Sequence, residues 1–205
     1  MLEKIIRDFV MIWTTVDPIS SLALFAGLAA SLSAAERRSV ARRATLYAAI
    51  VLVIAVILGQ IVLDAMGIRL LSLKVAGGII LFLFGLQMLF GSASREIDSH
   101  DKGRDLAVFP LAVPTIAGPG AIMAVILLTD NDVYSVPEQV ETAIVLLVVL
   151  GLTYVLLLLS DAILRVIGRP GAAILVRVMG ILLAALSVEL VLSALNIGSW
   201  AIPKY

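Results

Sequence analysis

The stretch Ile12-Trp13-Thr14-Thr15-Val16-Asp17-Pro18-Ile19-Ser20 sits in the middle of a long apolar run covering residues 5–29. A bilayer core about 30 Å thick is crossed by a helix of about 20 apolar residues, so the run reads as a membrane span. Proline inside a helix removes a hydrogen bond and clashes with the carbonyl four residues back, yet it is comfortable at the first position of a new helix. Asp17 precedes Pro18, and aspartate is a strong N-cap. The stretch therefore reads as a helix that stops and restarts inside the membrane. A secretory signal would carry an uninterrupted core of about 7–15 apolar residues. The Asp17-Pro18 interruption argues against that reading, although Ala26-Gly27-Leu28-Ala29 offers a cleavage-like site.

The same device recurs. Val113-Pro114-Thr115-Ile116-Ala117-Gly118-Pro119-Gly120-Ala121 carries a second break, and a shift of 101 residues overlays Thr14 on Thr115 and Pro18 on Pro119. Further along, Asp64-Ala65 matches Asp161-Ala162, and Lys74-Val75-Ala76-Gly77 matches Arg177-Val178-Met179-Gly180. Pro110 and Pro114 precede the second break, so the first half of that span is expected to be irregular.

Composition agrees with a membrane protein throughout. The 205 residues are 61% hydrophobic and 15% charged, against about 45–50% and about 25% in a soluble domain. Mean hydropathy is +1.12. Fifteen Lys and Arg balance fifteen Asp and Glu, which excludes a basic nucleic-acid binder. The absence of Cys excludes a disulfide scaffold. His100, the single His, falls in a polar joint, so neither a metal site nor a cofactor is expected.

Six spans are expected, at residues 5–29, 44–63, 71–90, 106–128, 142–160 and 172–195, with the joints read as loops. Together they form one all-α transmembrane domain over residues 1–205. Repeat one is about 1–90, a polar joint covers 91–105, and repeat two is about 106–205. Three spans per repeat is an odd number, so the halves lie inverted about an axis in the membrane plane. Secondary transporters commonly have this architecture, with binding sites near the midplane. Counting Lys and Arg in the joints gives nine on one side and four on the other. The positive-inside rule then puts both termini outside the cytoplasm.

A restarted helix presents bare N–H groups and the positive end of a half-helix dipole. Two such ends at the midplane suit a small anion or a carboxylate. The expected binding residues are Asp17, Pro18, Ile19, Ser20, Thr115, Ala117, Gly118, Pro119 and Gly120. Of the acidic residues, only Asp17 and Glu189 fall well inside spans. Charge at that depth faces the protein interior and has a partner or a role, so both are proton-coupling candidates.

Four motifs resemble the MarC family of six-span inner-membrane proteins, also called the SnatA-like neutral amino acid transporter family. They are Val16-Asp17-Pro18-Ile19, Lys74-Val75-Ala76-Gly77-Gly78-Ile79, the string from Phe109 to Ile122, and Arg177-Val178-Met179-Gly180-Ile181-Leu182-Leu183-Ala184. The resemblance covers almost the whole chain. It implies transport of small neutral amino acids of the glycine, alanine, serine and threonine class, coupled to protons. Family members commonly carry Gly-Asn where Ser20-Ser21 stand here, and often Arg at the position of Lys74. A channel or an exporter of another small metabolite is the alternative. The spans, however, offer few polar side chains for a continuous lining. An enzyme is not expected, since no Ser/His pair, paired Asp motif or metal cluster is present.

Overall fold

The computed structural model describes residues 2–90, 105–195 and 197. Among these the chain is helical: α1 (Leu2–Val16), α2 (Pro18–Leu28), α3 (Ala34–Ala65), α4 (Leu70–Phe90), α5 (Pro119–Leu128), α6 (Val136–Leu158) and α7 (Ser160–Ala194). An irregular segment, Ala107–Ile116, leads into α5. Five units are long and apolar enough to cross a membrane, counting α1 with α2 as one. The irregular segment and α5, bent by 52° at their junction, make the sixth. Spans one and four are the discontinuous ones, as the two breaks predict. The polar joint, including His100, lies outside the described residues apart from Asp105.

The irregular segment follows from its prolines. Phe109 and Val113 are extended, with φ near −130°, and each precedes a proline, where steric clash disfavours the helical region. Both X-Pro bonds are cis. The backbone polar groups are still partly served locally. The Thr115 hydroxyl donates to the Pro110 carbonyl at 2.8 Å, and the Ala117 N–H donates to the Ala112 carbonyl at 2.8 Å.

Two joints expected to be loops are helical. α3 begins at Ala34, so Arg37, Arg38, Arg42 and Arg43 lie on its first turns rather than in a joint. α6 begins at Val136 rather than at 142. In each case a capping box starts the helix, Ser33 with Glu36 and Ser135 with Glu138, satisfying end N–H groups that water would otherwise have to serve. Hydropathy reports which residues sit in lipid, whereas capping decides where helix begins. The two boxes occupy matching places in the two halves. Replacing Ser135 with alanine is expected to lower stability by about 1 kcal/mol, measured as a lower melting temperature in detergent.

α7 is also longer than its span. It starts at Ser160, and Gly168, at φ +67°, lets the chain turn before the membrane part Pro170–Ala194.

The halves interlock rather than sit side by side. α3 packs on the irregular segment and α5 of the other half, and α6 packs on α1 and α2. α4 packs on α5, α7 packs on α2, and the centre is made by α3 on α6 and α4 on α7. Exchanging the halves maps the outer contacts onto one another and the two central ones onto themselves, as repeats related by a two-fold axis require. α4 and α7 run antiparallel, because Gly78 meets Ser187 and Val191 while Gly85 meets Gly180 and Ala184. The main core brings Ile12, Val16, Phe25, Leu52, Ile116 and Leu146 together. Outward-facing Ile, Leu, Val and Phe side chains cover the rest of the bundle. In lipid that is the expected state, since only packing, not hydrophobicity, distinguishes core from surface.

Candidate functional site

At the first break the helix is interrupted by one residue. Asp17 has φ 49° and ψ 69°, in the left-handed region, which aspartate tolerates better than most residues. Its N–H still ends α1 by donating to the Trp13 carbonyl at 3.0 Å, and its carbonyl begins α2 by accepting from Ser21 N–H at 3.1 Å. The Asp17 Oδ1 accepts from Ser20 N–H at 3.2 Å, so the carboxylate caps α2 as its sequence position predicts. Pro18 fills the first helical position, where its missing N–H is harmless. Pro18 is buried, while Asp17, Ile19 and Ser20 are half-buried.

The second break is built differently. Gly118, extended at φ −75° and ψ 166°, is the N-cap of α5 and offers no side-chain bond. Its carbonyl accepts from Ile122 N–H at 3.0 Å. With Pro119 carrying no N–H, the donors of Gly120 and Ala121 are left at a helix start that no side chain caps. A Cβ on Gly118 would sit 2.6 Å from the Pro114 carbonyl oxygen, so this turn admits only glycine. Ala117, Gly118 and Gly120 are buried, Thr115 is half-buried, and Pro119 is exposed.

α1 packs against α5, and α2 against the irregular segment, so the two broken spans lie alongside each other and run antiparallel. The threonine hydroxyls near them are satisfied within the chain. Thr14 donates to the Val10 carbonyl at 2.7 Å, and Thr15 to the Met11 carbonyl at 2.9 Å. The hydroxyls of Ser20 and Ser21 are different: both are buried and neither hydrogen-bonds among the described residues. Buried polar groups are nearly always paired, so two unpaired hydroxyls in the first turn of α2 mark a buried polar spot without a partner among the described residues.

Glu189 is not brought to the breaks. It is exposed on α7 and makes no hydrogen bond or ion pair among the described residues. Asp8, which sequence reasoning placed at a span end, is buried, as is Asp130 just after α5. Asp8 is 1% exposed on α1; its Oδ2 lies 2.6 Å from Lys4 Nζ and accepts from the Thr142 hydroxyl at 2.7 Å. The spacing of Lys4 and Asp8, four residues apart, was the available signal, since such pairs meet on one helix face.

Comparison with known proteins agrees with an integral membrane protein. The family model for the MarC family integral membrane protein matches residues 2–197. A UPF0056 membrane protein of Archaeoglobus fulgidus is 36% identical over 198 residues, covering 92% of this chain and 90% of the relative. A UPF0056 membrane protein of Methanocaldococcus jannaschii is 32% identical over 200 residues, covering 95% and 97%. The UPF0056 inner membrane protein YhgN of Escherichia coli is 30% identical over 196 residues, covering 95% and 98%. No solved structure matches. With a family match spanning nearly its whole length, on an all-helical frame with two broken spans, the chain belongs to the MarC family of integral membrane proteins.

Proposed function

We propose that the protein is a secondary transporter, not an enzyme, that carries small neutral amino acids through a site between the two broken spans. The observation that carries this reading is the unequal capping of the two half-helices. α2 starts with a carboxylate already in place, whereas α5 starts without a side-chain cap. A zwitterion matches that inequality. Its carboxylate suits the free N–H groups of Gly120 and Ala121, where the half-helix dipole is positive. Its ammonium suits the Asp17 carboxylate, of which only Oδ1 serves as the cap. Ser20 and its neighbour Ser21 add hydroxyls that need partners.

Protons are the coupling ion in this reading, and Asp17 is the intramembrane carboxylate beside the substrate. The cell's inner membrane is the location, with both termini outside, on the nine-to-four distribution of Lys and Arg. The test is uptake of labelled glycine, alanine and serine into proteoliposomes, with and without an inward proton gradient. Saturable uptake that rises with the gradient is expected. Conductance without saturation would instead favour a channel, and no uptake of any of the three would remove the amino acid reading.

A further inference from the structure

We propose that Lys4, Asp8 and Thr142 form the gate that closes the midplane breaks toward the face on which the chain starts. Lys4 Nζ donates to Asp8 Oδ2 at 2.6 Å, to the Thr142 hydroxyl at 2.6 Å and to the Glu138 carbonyl at 3.2 Å. The Thr142 hydroxyl in turn donates to Asp8. Arg7 adds a contact to Asp8 Oδ1 at 3.6 Å and a hydrogen bond to the Tyr134 hydroxyl at 2.8 Å. The lattice ties the first half of broken span one to α6 of the other repeat. Asp8 lies nine residues before the break, about 13 Å along the helix at its rise per residue. Anything passing between that face and Asp17 along α1 meets the lattice first.

The opposite face has no equivalent among the described residues. On the 101-residue shift that overlays the breaks, Lys4, Asp8 and Thr142 fall on Asp105, Phe109 and Ala41. The ion pair nearest that position is Arg43 with Asp105, whose side chains are 45% and 33% exposed, and exposed pairs contribute little. Arg37 is held on that face by Ser160 and Asp161 of α7, rather than by the irregular segment. Among the described residues, α1 is thus tied to the other half by a buried ion pair, whereas the pair at the matched position, Arg43 with Asp105, is partly exposed.

Buried ionic contacts suit a gate. Their mutual attraction is largely offset by the desolvation of both charges. When water enters from the outer end, Lys4, Arg7 and Asp8 recover their hydration together, so the lattice can open as a unit. A packed apolar seam has no such compensation.

The inference rests on the transport reading, but its test does not depend on the cargo. The chain contains no Cys, so Ile19→Cys in the full-length protein gives a single reporter at a half-buried position just beyond the first break. A membrane-impermeant maleimide is applied to one face of sealed vesicles at a time. The parent reporter is expected to label from the opposite face and slowly from the N-terminal face. Thr142→Val keeps the shape and removes the bridging hydroxyl. It is expected to raise labelling from the N-terminal face about tenfold, as a two-state equilibrium shifts when one state loses stability. Exchanging the charges, Lys4→Asp with Asp8→Lys, is expected to bring the rate back below that of Asp8→Asn. The proposal is overturned if the parent labels equally fast from both faces. It is equally overturned if Thr142→Val, still monodisperse, labels as the parent does. Should amino acid uptake fail while the Thr142→Val effect holds, the cargo is wrong and the gate stands.

Discussion

Gly180→Val is expected to dismantle the α4–α7 seam, and Gly180→Ala to weaken it. A Cβ on Gly180 would lie 2.9 Å from the Gly85 carbonyl oxygen and 2.9 Å from Met88 Cβ. A Cβ on Gly85 would lie 2.8 Å from the Gly180 carbonyl oxygen and 2.9 Å from Ala184 N. These are backbone atoms or atoms fixed to the backbone, so no rotamer change relieves the clash. The helices must separate, and in lipid close packing is the main force holding them. Overpacking of one methyl costs about 1–3 kcal/mol, against a gain of about 1 kcal/mol in helix propensity for glycine to alanine. Valine carries two further methyls into the same space and has no such margin. Gly151 is the control, because a Cβ there meets nothing within 4 Å, and Gly151→Ala should be neutral or stabilising. Melting temperature and monodispersity in detergent read the result. If Gly180→Ala and Gly151→Ala behave alike, the seam is not the close contact described.

Asp17→Asn separates the two roles of the residue at the first break. Asparagine tolerates the left-handed backbone and caps helices as well as aspartate. Stability should therefore change by less than about 0.5 kcal/mol, while Asp17→Ala should lose about 1 kcal/mol with the cap. Uptake should respond in the opposite way. A hydrogen bond to a charged group contributes about 1.5–3 kcal/mol, so loss of the carboxylate should lower amino acid uptake by tenfold or more. Uptake in Asp17→Asn should also lose its dependence on the proton gradient. An Asp17→Asn protein with parental uptake and gradient dependence would leave Asp17 as a cap and nothing more.

The fold was legible in the sequence wherever the deciding physics is local. Pro18 and Pro119 each remove a helix hydrogen bond whatever surrounds them, and Asp17 is a cap because of its place before Pro18. Depth along a span is local in the same sense, since about 20 apolar residues are needed to cross. The direction a side chain faces is not. Glu189 and Asp8 illustrate the difference: Glu189 was placed inside a span and stands exposed, while Asp8 was placed at a span end and is buried. In a soluble helix the apolar stripe would have revealed the inner face. In α2 to α7 lipid and core are both apolar, so hydropathy carries little azimuthal signal; α1 has a polar face, but the neighbours on α6 decide that Asp8 on it is buried.

By itself, then, the sequence determined six crossings, two of them broken, in two halves of opposite orientation, because proline geometry and the thickness of a bilayer act on each segment separately. Tertiary structure alone decided that the halves interlock, that Gly85 and Gly180 form the α4–α7 seam, and that Lys4, Asp8 and Thr142 close around one another. Those features depend on residues up to 138 positions apart meeting in space, and packing between helices sets such meetings.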